Sequence, residues 1–167
     1  MNTDKIYLVG FMAAGKTTVA THLAVTLGWR VEDIDLLIEA RERRTVADIF
    51  ARQGEPWFRA IEREMLALVL PLRHAVVATG GGTFADPDSR AAIKVDGVSV
   101  WLDVPLEHLV ARIPQDGRRP LAANREQFEL LYASRQASYA QADVRVACGD
   151  APAAEIADRV LDALRAF

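Results

Sequence analysis

Gly10-Phe11-Met12-Ala13-Ala14-Gly15-Lys16-Thr17-Thr18 follows the apolar run Ile6-Tyr7-Leu8-Val9 and leads into a segment where Val19, Ala20, Leu23 and Leu27 recur at helical spacing. The spacing is G-x-x-x-x-G-K-[ST], a phosphate-binding loop set between a strand and a helix. Binding a phosphate takes several backbone N–H groups from a close turn, a cation, and a hydroxyl for Mg²⁺, and this stretch offers all three. Gly10 and Gly15 let the loop turn, with Ala13 and Ala14 between them. Lys16 reaches the β- and γ-phosphates, Thr17 is the candidate metal ligand, and the helix that starts here, carrying Thr18 in its first turn, turns its N-terminal dipole to the anion. An ordinary strand-to-helix turn would explain two glycines but not the Lys-Thr pair.

The chain has 167 residues, the size of one domain, and its 51% hydrophobic content suffices for a substantial core. A net charge of −3 gives no whole-molecule basic field for nucleic acid, so any anion site must be local. Cys148 is the single cysteine, which excludes an intrachain disulfide, and His22, His74 and His108 are too widely spaced for a zinc motif. Lys5 followed by an apolar stretch imitates a short secretory signal, but Asp4 and Gly10 argue against one. The apolar run Met65 to Leu72 is too short to cross a bilayer and contains Pro71. A soluble cytoplasmic monomer is the expectation, with no nucleic acid or membrane partner.

Short apolar runs alternate with stretches of helical period, the pattern of a parallel α/β sheet. Strands are expected at Ile6–Val9, Trp29–Asp33, Ala75–Ala78, Val98–Leu102 and Val144–Val146. Helices are expected at Lys16–Leu27, Asp35–Arg41, Val46–Gln53, Trp57–Leu70, near Pro105–Ile113, at Asn124–Ala142 and at Pro152–Ala166. The helices between about residues 34 and 70 read as a substrate lobe on one side of the sheet. Pro114 to Ala123, with Asp116, Gly117, Arg118, Arg119 and Pro120, breaks the pattern and reads as an arginine-bearing lid.

Asp33-Ile34-Asp35 stands where the second strand should end. Side chains two apart in an extended segment point the same way, so both carboxylates can face the crevice beyond the strand ends, one near Mg²⁺ and the other near an acceptor hydroxyl. Capping of the next helix by Asp35 is the alternative. Arg59 could equally serve in ion pairs with Glu55 or Glu62 along its helix. Thr79-Gly80-Gly81-Gly82 is more specific, because three glycines after a buried strand admit a ligand to the backbone where side chains would exclude it. Asp103, followed by Val104-Pro105, reads as a helix N-cap region and is left out of the site.

The phosphate loop, Asp33-x-Asp35 with Glu39, Phe58-Arg59 with Ile61-Glu62, Gly80-Gly81-Gly82, Arg119-Pro120-Leu121, and Arg135 with Tyr139 together resemble the shikimate kinases, in that family's order over nearly the whole chain. The resemblance implies a nucleoside-monophosphate-kinase-like fold with a five-stranded parallel sheet in the order 2-3-1-4-5. It implies transfer of the ATP γ-phosphate to the 3-hydroxyl of shikimate, with Mg²⁺ held through water by Asp33. Asp35 would meet the shikimate hydroxyls, and Arg59 and Arg135 would hold its carboxylate with the Gly80, Gly81 and Gly82 backbone. Arg119 would reach the transferred phosphate, and Arg112 would lie along adenine, near the Cys148 to Pro152 loop. Lys16, Asp35 and Arg119 would then be the catalytic residues. Two positions depart from the family pattern: Ala13 stands where a further glycine is common, and Ala137-Ser138 replaces a proline-containing run after Arg135. A kinase of gluconate or a nucleoside monophosphate, or a nucleotide-binding regulator without turnover, are the competing readings.

Overall fold

The computed structural model describes residues 3–112 and 125–167. The parallel sheet is built from β1 (Lys5–Val9), β2 (Arg30–Asp33), β3 (Ala75–Ala78), β4 (Val98–Asp103) and β5 (Val144–Ala147). Its order is β2-β3-β1-β4-β5, and every adjacent pair is parallel. β1 is buried along its whole length between β3 and β4, which is why it reads as an uninterrupted apolar run. The loop after this central strand therefore emerges at the middle of the crevice, where the strand order reverses.

The helices are α1 (Lys16–Leu27), α2 (Ile34–Glu42), α3 (Val46–Val69), α4 (Pro87–Asp96), α5 (Leu106–Arg112), α6 (Arg125–Tyr139) and α7 (Ala153–Ala166). Gly28, at φ 67°, closes α1, and the Trp29 N–H bonds back to Ala24 O, so β2 begins one residue later than expected. The two helices expected between Val46 and Leu70 form one run interrupted at Gly54 (φ 80°, ψ 173°). Pro56 sits in the first turn of the second half, where its missing N–H is not needed. α4 was not expected. Only Ser89 and Ile93 are buried on it, too few for a visible stripe; its signal is the Asp86 cap, which accepts from Ser89 N at 2.9 Å, with Pro87 opening the helix. No helix of the described residues is long and apolar enough to cross a membrane.

Lys5, the first residue of β1, is fully buried. Its Nζ donates to the Val69 and Leu70 carbonyls at 2.9 and 2.6 Å, satisfying the C-terminus of α3, and to Asp96 Oδ2 at 2.6 Å. Tyr7 Oη also donates to Asp96. Burial by itself would raise the Asp96 pKa, but the hydrogen bonds from Lys5 and Tyr7 and the Lys5 charge hold it below the usual carboxylate value. Asp143 is lowered likewise, against burial, by Ser99 and Lys94. A carboxylate depressed in the fold adds stability above its unfolded pKa of about 3.9, and that stability is lost as the pH falls through the folded value. The urea midpoint should therefore hold near neutrality and drop below about pH 4. Asp96→Asn should cost about 2 kcal/mol at pH 7 and flatten the acid limb, because it leaves the buried Lys5 ammonium without its counter-charge. An acid limb as steep as the native one would remove Asp96 from this account.

Candidate active site

One cleft of about 570 Å³ runs along the carboxyl ends of the strands, lined by the loop after β1, the start of α2, both halves of α3, the glycine turn after β3, and α5 and α6. The loop takes the shape its sequence announces. Gly10 (φ 143°) lies against β4, where an added Cβ would come 2.9 Å from Leu102 O. Gly15 (φ 87°) is the N-cap of α1. Ala13 also adopts a left-handed conformation, φ 63°, so the loop keeps a glycine-like backbone at the position that departs from the family pattern. Lys16 Nζ bends back to Gly10 O (2.9 Å) and Phe11 O (2.8 Å), which holds the ammonium over the loop.

Asp33 and Asp35 both line the cleft, but not through the pleat of a strand. β2 ends at Asp33, which is itself the N-cap of α2: its Oδ1 accepts from Leu36 N at 3.1 Å, while its Oδ2 accepts from Thr17 Oγ1 at 2.5 Å. The cap, which the alternative reading gave to Asp35, is Asp33. Asp35 lies in the first turn of α2 and faces the glycine turn, its Oδ1 lying 3.0 Å from where a Cβ on Gly80 would stand. Glu39 accepts from Val46 N at 2.9 Å and ties the end of α2 to the start of α3.

Arg59 makes both ion pairs that an ordinary helix surface would supply, and it lines the cleft as well. Its Nη2 lies 3.1 Å from Glu55 Oε1 and its Nη1 2.8 Å from Glu62 Oε2. Glu62 is 2% exposed, and its second oxygen accepts from Thr83 Oγ1 at 2.7 Å. Burial would lower the Arg59 pKa, but the carboxylates of Glu62 and Glu55 outweigh it and hold the guanidinium firmly charged. The glycines leave room here for the side chains that meet at the turn. A Cβ on Gly82 would stand 2.2 Å from Arg59 Nη1, and one on Gly80 2.4 Å from Glu62 Oε1. A Cβ on Gly81 would meet Met12 N at 3.4 Å, so the phosphate loop leaves room for little more than a methyl group beside the glycine turn.

On the opposite wall, Arg135 Nη1 donates to Gly81 O at 3.2 Å and Tyr139 Oη to the same carbonyl at 2.5 Å. Burial, more than any neighbouring charge, keeps the Tyr139 phenol protonated. α6 passes through Ala137 and Ser138 without a break, so the absence of the family's proline does not turn Arg135 out of the cleft. At the far end, Arg112 Nη2 donates to Gly149 O at 3.1 Å, which places Arg112 beside the Cys148 to Pro152 loop. Cys148 is buried, and burial, followed by the Asp103 charge, pushes its thiol up to about 11, as suits a packed residue rather than a nucleophile. Asp103 is the last residue of β4 rather than a cap, and its Oδ2 is bound by Arg145 at 2.5 and 2.9 Å, outside the cleft lining.

The structure thus brings Ala13, Gly15, Lys16, Thr17, Thr18, Asp33, Asp35, Arg59, Gly81, Gly82, Arg112 and Arg135 to one cleft; Gly10, Ala14 and Gly80 support it from behind. Arg119 and the lid expected over Pro114 to Ala123 lie outside the described residues. Sequence reasoning missed Glu62 as a site-building residue and the apolar wall of Phe50 and Phe58, whose ring centroids are 4.6 Å apart. The signal for Glu62 was present: an acidic residue three positions after Arg59 on an otherwise core-facing helix.

The shikimate kinase family model matches residues 12–165. A shikimate kinase of Persephonella marina is 41% identical over 161 residues, covering 96% of this chain and 98% of the relative. One from Thermosynechococcus vestitus is 43% identical over 164 residues, covering 95% and 88%. Among solved structures, the shikimate kinase from Acinetobacter baumannii in complex with shikimate superposes with a TM-score of 0.94 at 32% identity, covering 99% of this chain and 94% of that one. With 154 of its positions spanned by the family model and relatives matched end to end, this chain belongs to the shikimate kinase family.

Proposed function

We propose that the chain transfers the γ-phosphate of ATP to the 3-hydroxyl of shikimate, acting as one cytoplasmic, monomeric kinase domain over residues 1–167 with residues 34–70 as its acceptor lobe. The carrying observation is the pair of arginines, Arg59 on α3 and Arg135 on α6, converging with Asp35 on the glycine turn in the cleft that Lys16 also lines. A planar guanidinium grips a carboxylate through two parallel hydrogen bonds, as no lysine can. Asp35 offers an acceptor to ring hydroxyls. A nucleotide acceptor would call for base contacts instead.

The oxygens of Thr17 and Asp33, 2.5 Å apart at the head of α1, suit a hard divalent cation that keeps most of its waters. Bound there with ATP, Mg²⁺ would neutralise charge on the β- and γ-phosphates. Thr17 would ligate it directly and Asp33 through water. Gly10, Ala13, Ala14, Gly15 and Thr18 would present backbone N–H groups to the phosphates, and Lys16 would stabilise charge as the γ-phosphoryl moves. Arg112 would flank adenine. Asp35 orients the 3-hydroxyl and takes up its proton as the new O–P bond forms and the β–γ bridge breaks. A loose transition state asks for placement and charge more than for prior proton removal.

The test is ADP release by the purified protein with Mg-ATP, comparing shikimate, gluconate and AMP with no acceptor. Release stimulated by shikimate alone is the expected result. Stimulation by gluconate or AMP would replace the acceptor assignment, and nucleotide binding without turnover would replace the enzyme by a regulator.

A further inference from the structure

The phosphate-loop signature leaves its second position open, yet here that position is Phe11, 4% exposed and packed on α6. Its ring meets Phe128 edge-on at 5.0 Å between centroids and Tyr132 at 5.4 Å, the T-shaped arrangement that aromatic pairs favour. Phe128, Tyr132, Arg135 and Tyr139 are spaced four, three and four residues apart, so they form one stripe along α6. The first half of that stripe grips the phosphate loop. The second half grips the glycine turn, through Arg135 and Tyr139 on Gly81 O. Tyr132 Oη adds a bond to Val104 O at 3.3 Å, fixing the helix between the two. Because α6 is unbroken from Arg125 to Tyr139, its roll and axial position are common to both ends.

We infer that Phe11 is a positioning residue for the acceptor: through Phe128 and Tyr132 it sets the rotation of α6 and thereby the placement of Arg135. A residue of the nucleotide loop thus determines how tightly the acceptor carboxylate is held. This rests on the reading of Arg135 as a shikimate contact.

The experiment is a mutant cycle read as separate KM values for shikimate and ATP in the native protein, Phe11→Ala, Arg135→Ala and the double variant. Phe11→Ala should raise KM for shikimate about tenfold and KM for ATP less than about twofold, and it should add less than about twofold once Arg135 is already alanine. Phe11→Leu, which keeps bulk but loses the edge-to-face contacts, should raise the shikimate KM about threefold, and it serves for the same cycle where the alanine variant does not fold. Equal increases for both substrates, or full additivity with Arg135→Ala, would overturn the inference while leaving Arg135 in the site. An unchanged shikimate KM in Arg135→Ala alone would overturn the Arg135 reading itself and this inference with it.

Discussion

Lys16→Met is expected to lower kcat on the order of 10²- to 10³-fold, the loss found when one preorganised donor to a developing charge is removed. In energy this is about 3–4 kcal/mol of transition-state stabilisation. Lys16 heads α1, and its ammonium is held over the loop by the Gly10 and Phe11 carbonyls. The charge is therefore in place before any phosphate arrives, and little reorganisation is needed when the phosphoryl group moves. The loop itself does not depend on Lys16. Its turn is closed by Ala14 N to Phe11 O (3.3 Å) and its helix begun by Val19 N to Gly15 O (3.0 Å), and both bonds survive the substitution. Phe11 lines the cleft, so water can replace the ammonium at its carbonyl. The thermal midpoint should thus stay within about 2 °C of native while turnover collapses. KM for ATP should change far less than kcat, since charge develops chiefly in the transition state. A kcat within about tenfold of native would remove Lys16 from the chemistry.

The sheet was legible because a strand buried on both faces must be apolar throughout. Ile6 to Val9 and Ala75 to Ala78 could hardly be anything else, and the sheet order follows the family resemblance. The phosphate loop was legible because its spacing is the chemistry. Asp33 and Asp35 were placed in the right cleft by an argument that fails in detail: the chain turns into helix at Ile34, so the two carboxylates converge through a cap and a first turn rather than through alternation along a strand. Residues whose meaning depends on a distant partner were not legible. Nothing local to Glu62 shows that Thr83 will donate to it, or that its carboxylate will lie against Gly80. Likewise Asp103 betrays no pairing with Arg145, 42 residues away on the neighbouring strand. Local periodicity reports which face is buried; it carries no information about what waits on the other side.

Arg59→Ala is expected to raise KM for shikimate on the order of 10²-fold, the effect of deleting one partner of a desolvated, hydrogen-bonded charge pair, with KM for ATP nearly unchanged. The structure adds a second consequence. Glu62 is 2% exposed and relies on Arg59 for its counter-charge, with Thr83 supplying only a hydroxyl. Removing the arginine leaves a buried carboxylate without a cation, which costs about 3–5 kcal/mol in a dry interior. Arg59 itself is 18% exposed, so water entering the vacated space should reduce that to about 1–3 kcal/mol. One substitution therefore weakens both binding and fold, and a raised KM alone could be blamed on either. The variant Arg59→Met with Glu62→Gln separates them. It removes both charges, keeps the bulk of each side chain, and leaves an amide that can still accept from Thr83. Stability should return to within about 1 kcal/mol of native while the shikimate KM stays raised on the order of 10²-fold. Recovery of affinity together with stability would show that Arg59 only supports the fold, and the carboxylate of the acceptor would then have to be held by Arg135 alone.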